Sequence, residues 1–514
     1  MDKNKKFGAF ITVALMVAAM CISKVLGLLR SVLMAHSYGT SVEATVFSEA
    51  SRIPLTFFDI LLGSAVLGCF IPIYNSFKDG KSREDGKCEN DVFASVFLNF
   101  IVILTGVLSL LGIIFSREIL SLIAAGLDSE LIDMAVTPLR IMFPLVIFTG
   151  MTYTLVGVLQ SKDEFLVPAF VSALSNLLVI VYFVFFNKYF GIIGLSVCYT
   201  LSWLVQLLTL IVPLIKRKFH YYFCFDFRNK SFLKALKMTP PIMCGAWLTP
   251  VSILLSLYFA AFVEVDGAVA SFEYANNLFT IIVGILTYGV CNFIFPRLSR
   301  LSGDNREGFI KTASDSLFYS LMIIFPVMTA MLVVPEQVVS IIYQRGQFDA
   351  QSALSVTSAL KALVPGMLGF TTVELLNRVF YAQKTVYIPM TAALCGIGVN
   401  VVSSYIMIIK LKMGLGALGL SFALGLCGAA LVLIIFSALK LRGIFDRVFI
   451  LRLVKLIICS AAGLGVMLAA EKFIAPQPFT DGFLMNILTG GGMFILGTAV
   501  YLALCKIIGL LKKE

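Results

Sequence analysis

The chain has 514 residues, of which 59% are hydrophobic and only 13% charged, with a mean hydropathy of +0.96. Soluble domains carry about a quarter charged residues, so this balance excludes a soluble globular protein and indicates stacked apolar spans. The formal charge of +11 does not point to nucleic acid, because the basic residues gather in short loops between apolar runs, as cytoplasmic loops do.

Met1–Lys6 is basic and leads into an apolar run to about Leu33 with no small-residue cleavage site. That predicts a first membrane helix rather than a cleaved signal. A span needs about 20 apolar residues. About fourteen segments qualify: 7–35, 44–76, 91–116, 132–158, 165–187, 191–215, 238–262, 267–295, 309–333, 352–380, 386–408, 414–439, 450–471 and 483–508. The expected fold is therefore an all-α polytopic membrane protein. Its parts are an N-terminal six-helix half (1–216), a basic cytoplasmic linker (217–237), a C-terminal six-helix half (238–440) and two extra helices (441–514).

The Lys/Arg bias sets the expected topology. Lys78, Lys81, Arg83 and Lys87, then Lys216, Arg217 and Lys218, then Arg297 and Arg300 mark inside loops, as do Lys440, Arg442, Arg447, Lys512 and Lys513. Outside loops are lean or acidic: Asp128, Glu130 and Asp133; Glu264 and Asp266; Glu471 and Asp481. Lys188, Arg345, Lys410 and Lys412 break the pattern. An even span count places both termini in the cytoplasm. The segment Lys216–Lys237 interleaves seven Lys/Arg with Phe219, Tyr221, Tyr222, Phe223, Phe225, Phe227 and Phe232, which suits a segment lying on an anionic leaflet.

Cys21, Cys69, Cys198, Cys244, Cys291, Cys395, Cys427, Cys459 and Cys505 fall in apolar stretches without a CxxC pair. They read as small core hydrophobes, and with two histidines in the chain neither a metal nor a cofactor is expected. HExxH, GxSxG and Walker-type loops are absent, so a catalytic reading finds no support; Asp163-Glu164 is a lone acidic pair in a short loop.

The halves resemble each other. Phe70-Ile-Pro-Ile-Tyr-Asn-Ser-Phe77 matches Ile294-Phe-Pro-Arg-Leu-Ser-Arg-Leu301, and aligning Pro72 with Pro296 aligns Glu49 with Glu273. Leu159–Pro168 matches Phe380–Pro389. Two such halves suit alternating access around a central cavity.

Charges inside spans are costly unless they meet a partner or a wet cavity. Lys24 and Arg30 fall in the first span; Glu49, Arg52 and Asp59 in the second; Arg140 in the fourth; Glu273 in the eighth; Glu374 and Arg378 in the tenth. Lys24, Arg30 and Arg52 either bind an anionic diphosphate, for which Arg offers a planar fork of donors, or pair with acids such as Glu49. Asn276 and Asn277 either bind sugar hydroxyls or join helices. Glu49 and Glu273 either couple transport to a cation or proton, or form structural ion pairs. Arg378 reads equally as a snorkelling side chain.

Ser23-Lys-Val-Leu-Gly-Leu-Leu-Arg30 resembles the opening of the MurJ/MviN lipid II flippase family, within the multidrug/oligosaccharidyl-lipid/polysaccharide exporter superfamily. Tyr38-Gly39, Ile53-Pro54, Phe70-Ile-Pro72, Phe295-Pro-Arg-Leu-Ser299 and Gln344-Arg-Gly-Gln-Phe348 continue the similarity. The resemblance implies a transporter that moves undecaprenyl-pyrophosphate-linked muropeptide to the outer leaflet of the bacterial cytoplasmic membrane for peptidoglycan synthesis. It also implies a lipid-tail groove in 441–514, membrane lipids as surroundings and cell-wall synthesis enzymes as partners. Arg30 matches a family cavity arginine and Lys24 replaces another. Ser31, Thr45, Phe58 and Asn277 stand where the family carries charge, so another polyprenyl-linked glycan is an alternative. An amphipathic-cation exporter and a non-transporting scaffold are the competing classes.

Overall fold

The computed structural model describes residues 3–63, 70–77, 88–474 and 482–510. The loop carrying Lys78, Lys81, Arg83 and Lys87 lies outside them, as do Cys69, Asp481, Lys512 and Lys513. Helices account for the architecture. Among the described residues, eleven helices are long and apolar enough to cross a membrane, or twelve if a pair bent by 50°, Ala350–Leu363 and Gly366–Ala382, forms one span. The chain is a multi-pass, all-helical membrane protein.

It folds as two compact units, Met1–Ser37 with Val42–Pro250, and Tyr38–Ser41 with Val251–Glu514. The first unit holds α1 (Lys3–Tyr38, whose last residue joins the second unit), α2 (Val42–Phe58), α3 (Ile71–Tyr74), α4 (Glu89–Ile114), α5 (Ser116–Ile123), α6 (Ser129–Met142) and α7 (Leu145–Ser161). It continues with α8 (Leu166–Phe185), α9 (Asn187–Thr209), α10 (Ile211–Lys216), α11 (Lys230–Ala246) and the start of α12 (Leu248–Ala260). The second unit holds α13 (Ala268–Asp304), α14 (Arg306–Val333), α15 (Pro335–Tyr343), α16 (Ala350–Leu363), α17 (Gly366–Ala382) and α18 (Tyr387–Ser404). The helices α19 (Leu415–Lys440), α20 (Arg447–Ile474) and α21 (Phe483–Ile507) complete it.

Two expected spans, 44–76 and 238–262, match none of these long helices. The segment 44–76 passes from α2 into a π-helical stretch, Asp59–Gly63, before α3. The segment 238–262 breaks at Trp247 between α11 and α12. The breaks are linked: the Trp247 indole donates to the Ile60 carbonyl at 2.7 Å, satisfying a backbone group of the irregular turn that lipid could not satisfy.

The internal repeat appears in the packing. In the first unit α2 packs on α6, α4 on α7, α8 on α9, and α6 and α7 both on α9. In the second, α13 packs on α16, α14 on α17, α18 on α19, and α16 and α17 both on α19. Each first helix is bracketed to the fifth by an asparagine amide: Asn176 donates to the Ser23 carbonyl at 3.2 Å and Asn400 to the Ser252 carbonyl at 3.3 Å.

One polar hub joins the two repeat motifs of the first half. Phe70, fully buried, stacks on Phe93 and Phe97 of α4 at 5.4 and 5.1 Å. This sets Tyr74 to donate to Asp91 at 3.1 Å. Lys162, from the loop after α7, pairs with the same carboxylate at 3.3 Å. The backbone N–H of His220 donates to its other oxygen at 3.0 Å. A nearly buried acid thus receives a cation and two donors, which meets the requirement for burying charge.

The linker runs from this hub as a strap along α4. The Tyr222 N–H donates to Ser95 at 3.0 Å. Asn99 then donates to the Cys224 carbonyl at 2.8 Å and accepts from the Tyr221 hydroxyl at 2.6 Å. Four helical residues rise about 6.0 Å and two extended residues about 6.6 Å, so Asp91, Ser95 and Asn99 meet residues 220, 222 and 224 in step. The alternate side chains Tyr221, Phe223 and Phe225 face outward. Cysteine burial corrects one expectation: Cys198, Cys291, Cys459 and Cys505 are buried, but Cys21 and Cys395 are exposed. On a lipid-facing helix an apolar side chain need not be in the core.

Candidate functional site

The first unit carries Lys24, Arg30, Glu49 and Arg52. On α1, the Ser23 and Asn176 bracket fixes one face against α8, so Lys24 is exposed and Arg30 half-buried. The Arg30 guanidinium lies over the Tyr199 ring of α9 at 5.6 Å. Phe47 of α2 meets that ring edge-on at 5.5 Å. Three helices therefore converge on one cation, which among the described residues is held by a ring face and by no carboxylate. Such seating is worth about 0.5–2 kcal/mol and leaves the planar donor edges as the means of holding an anion.

On α2 the residues Glu49, Arg52, Thr56 and Asp59 follow i, i+3, i+7 and i+10 spacing, so they form one stripe along the helix. Glu49 is fully buried, Arg52 half-buried and Asp59 exposed. The stripe runs into the π-helical turn, whose first residue is Asp59.

The second unit carries Glu273, Asn276 and Asn277 on α13 at i, i+3 and i+4 spacing. Glu273 and Asn277 are half-buried and Asn276 is 2% exposed. Among the described residues the Oδ1 atom of Asn276 receives no hydrogen bond. A buried carbonyl in that state is a ready acceptor for a hydroxyl or a water. The register that aligns Glu49 with Glu273 aligns Arg52 with Asn276.

Tyr274 turns the other way and anchors the Gln344–Phe348 loop. Its ring meets Tyr343 at 5.1 Å and Phe348 at 5.6 Å. The Gln344–Phe348 element is thereby pinned by its final aromatic, 1% exposed. The Tyr38-Gly39 element packs on the same loop. Gly39 has φ +53°, and a Cβ there would sit 2.4 Å from the Gln347 carbonyl oxygen; only glycine fits both constraints. Thr40 shares a 2.8 Å hydrogen bond with Ser352. Two motifs distant in sequence thus form one contact.

Other in-span charges have structural partners. Arg378 pairs with Glu374 at 2.7 Å and lies over Tyr288 at 5.8 Å. Arg140 is exposed and donates to the Ile113 carbonyl at 3.2 Å, capping the last turn of α4. Of the supporting residues, Tyr199, Phe47, Asn176 and Asn400 were missed by sequence reasoning. The Pro72–Pro296 register pairs Asn176 with Asn400, but the nearer Leu159–Pro168 match sets Asn176 against Ile397, so the repeat gave no single signal for the last two.

Comparison with known proteins gives a consistent result. The family model described as "Lipid II flippase MurJ" matches residues 34–489. A relative from Burkholderia cenocepacia, "Lipid II flippase MurJ", is 26% identical over 83% of this chain and 82% of its own length. One from Buchnera aphidicola subsp. Schizaphis graminum, "Probable lipid II flippase MurJ", is 28% identical over 72% of each chain. The solved structure "Lipid II flippase MurJ, inward closed conformation" superposes with a TM-score of 0.81 at 23% identity, covering 97% of this chain and 100% of that one. An inward-facing multidrug resistance transporter of the MATE family, in the MOP superfamily, superposes with a TM-score of 0.69 at 14% identity, over 84% of this chain and 98% of that one.

Proposed function

Because the chain belongs to the MurJ lipid II flippase family, whose members are inner-membrane transporters and not enzymes, we propose that it carries lipid II from the inner to the outer leaflet by alternating access. The observation that supports this reading most directly is Arg30. It is a half-buried guanidinium seated over Tyr199 at 5.6 Å on a span otherwise apolar around it. A pyrophosphate offers such a cation two charge-assisted contacts. Lys24 and Arg52 would add positive charge on the same unit, and Asn276 and Asn277 would meet sugar hydroxyls from the other. Glu49 and Glu273, matched in register, would couple the cycle to a proton or cation. In this reading α20 and α21, within 441–514, take the lipid tail, segments 1–216 and 238–440 are the moving halves, and both termini are cytoplasmic.

A second reading rests on the charge lost at Asn277, where the family resemblance calls for arginine: the substrate is another polyprenyl-pyrophosphate-linked glycan. Proteoliposomes holding the purified protein separate the two. Fluorescent lipid II should become accessible on the opposite leaflet faster than a polyprenyl-pyrophosphate bearing an unrelated glycan. The reverse order would replace lipid II as the substrate, and equal movement of a cationic amphiphile would point to the exporter class.

A further inference from the structure

Arg345 breaks the charge pattern of its unit. The start of α14 and the end of α19 lie together, because Arg306 donates to the Lys440 carbonyl at 3.5 Å, and that end holds the basic loops. Arg345 follows α14 and α15 and so sits at the opposite, outer end. Of the other exceptions in this unit, Lys412 pairs with Glu264 at 3.4 Å and Lys410 lies over Tyr405 at 5.9 Å. Arg345 instead lines an open cavity of about 400 Å³ with Ser340, Gln344 and Phe483.

The cavity is built rather than incidental. The Arg345 guanidinium donates to the Ile341 carbonyl and lies over the Phe483 ring at 5.7 Å. Ser340 donates to Gln344 Oε1 at 2.5 Å and accepts from the Asn486 amide at 3.1 Å. Phe348, clamped by Tyr274 and Tyr343, fixes the loop that carries Gln344 and Arg345. Phe483 and Leu484, 58% and 68% exposed, begin the apolar face of α21 beside it. A cationic fork and an adjoining exposed apolar surface match the two ends of a phospholipid.

We infer that the Ser340–Arg345 cavity binds the phosphate of an outer-leaflet lipid headgroup, with the Arg345 fork on the phosphate and the chains along the first turns of α21. The inference does not depend on which lipid the protein transports, since its readout is binding. The test is native mass spectrometry of the full chain in detergent, titrated with dioleoyl phosphatidylglycerol or, separately, inorganic pyrophosphate. Arg345→Gln should weaken the tightest phosphatidylglycerol adduct about tenfold, the loss of one charge-assisted contact. Phe483→Leu, which keeps the charge and removes the ring beneath it, should weaken it a few-fold. Lys412→Gln should match wild type. Unchanged phosphatidylglycerol binding in both Arg345→Gln and Phe483→Leu overturns the site. An Arg345-dependent pyrophosphate adduct with no Arg345-dependent lipid adduct overturns the lipid assignment.

Discussion

Asp91 and Asp315 occupy the same register position in the two units, yet the first has a side chain 3% exposed and the second 37%. Each tethers the segment that leaves its own six-helix half. Asp91 gathers Tyr74, Lys162 and the start of the linker strap, whereas Asp315 meets Arg452 of α20 at 3.7 Å. The same position therefore serves one purpose in two environments. The buried one demands a full set of donors, and the wetter one manages with a single long ion pair. The contrast extends to Arg52 and Asn276: the repeat preserves helix packing while charge diverges, cationic in the first unit and neutral in the second.

If this comparison is right, the two aspartates differ sharply in what they contribute. Asp91→Ala should cost about 3 kcal/mol, because it strands a cation and two donors at a buried point. Asp315→Ala should cost roughly 0–1 kcal/mol, as an exposed pair does. Thermal unfolding of both variants in the same detergent checks this, and equal shifts would break the contrast. The asparagine brackets should behave alike: Asn176→Ala and Asn400→Ala should each cost about 0.6–1.7 kcal/mol, with near-additive effects in the double variant. Tyr199→Leu should leave stability nearly unchanged while slowing transport roughly threefold to tenfold, the effect of removing the ring beneath Arg30.

The last effect concerns the start of α16. Asp349 caps α16 by accepting from the Ser352 N–H at 2.8 Å, and this hydrogen bond holds its carboxyl below the usual range. Because the folded-state value is depressed, the cap's stabilisation is complete above the ordinary carboxylate range and fades as pH falls through the depressed value. Asp349→Ala should cost about 1 kcal/mol at neutral pH, and the difference from wild type should shrink in acid.

Much of the fold was legible because apolar run length and Lys/Arg placement report directly on spans. Twelve of the fourteen expected segments correspond to the long apolar helices or the bent pair. Segments 44–76 and 238–262 misled because hydropathy does not register a π-helical turn or a break repaired by a tryptophan donor. The linker's aromatic spacing was visible, but its partners on α4 were not, since Asp91, Ser95 and Asn99 act at four-residue spacing inside an apolar helix. Arg30 stood out as a charge in a span. Tyr199, which seats it, is one of 17 tyrosines, and nothing local marks it as a cation's partner.

The account turns on Arg30 as the cation that holds a transported pyrophosphate, and the most direct test is leaflet accessibility of lipid II in cells depleted of their own flippase. Wild type should restore outer-leaflet lipid II, while Arg30→Ala, expressed and inserted at the same level, should not. Equal restoration by both would contradict the role assigned to Arg30, and no restoration by inserted wild type would contradict lipid II as the substrate.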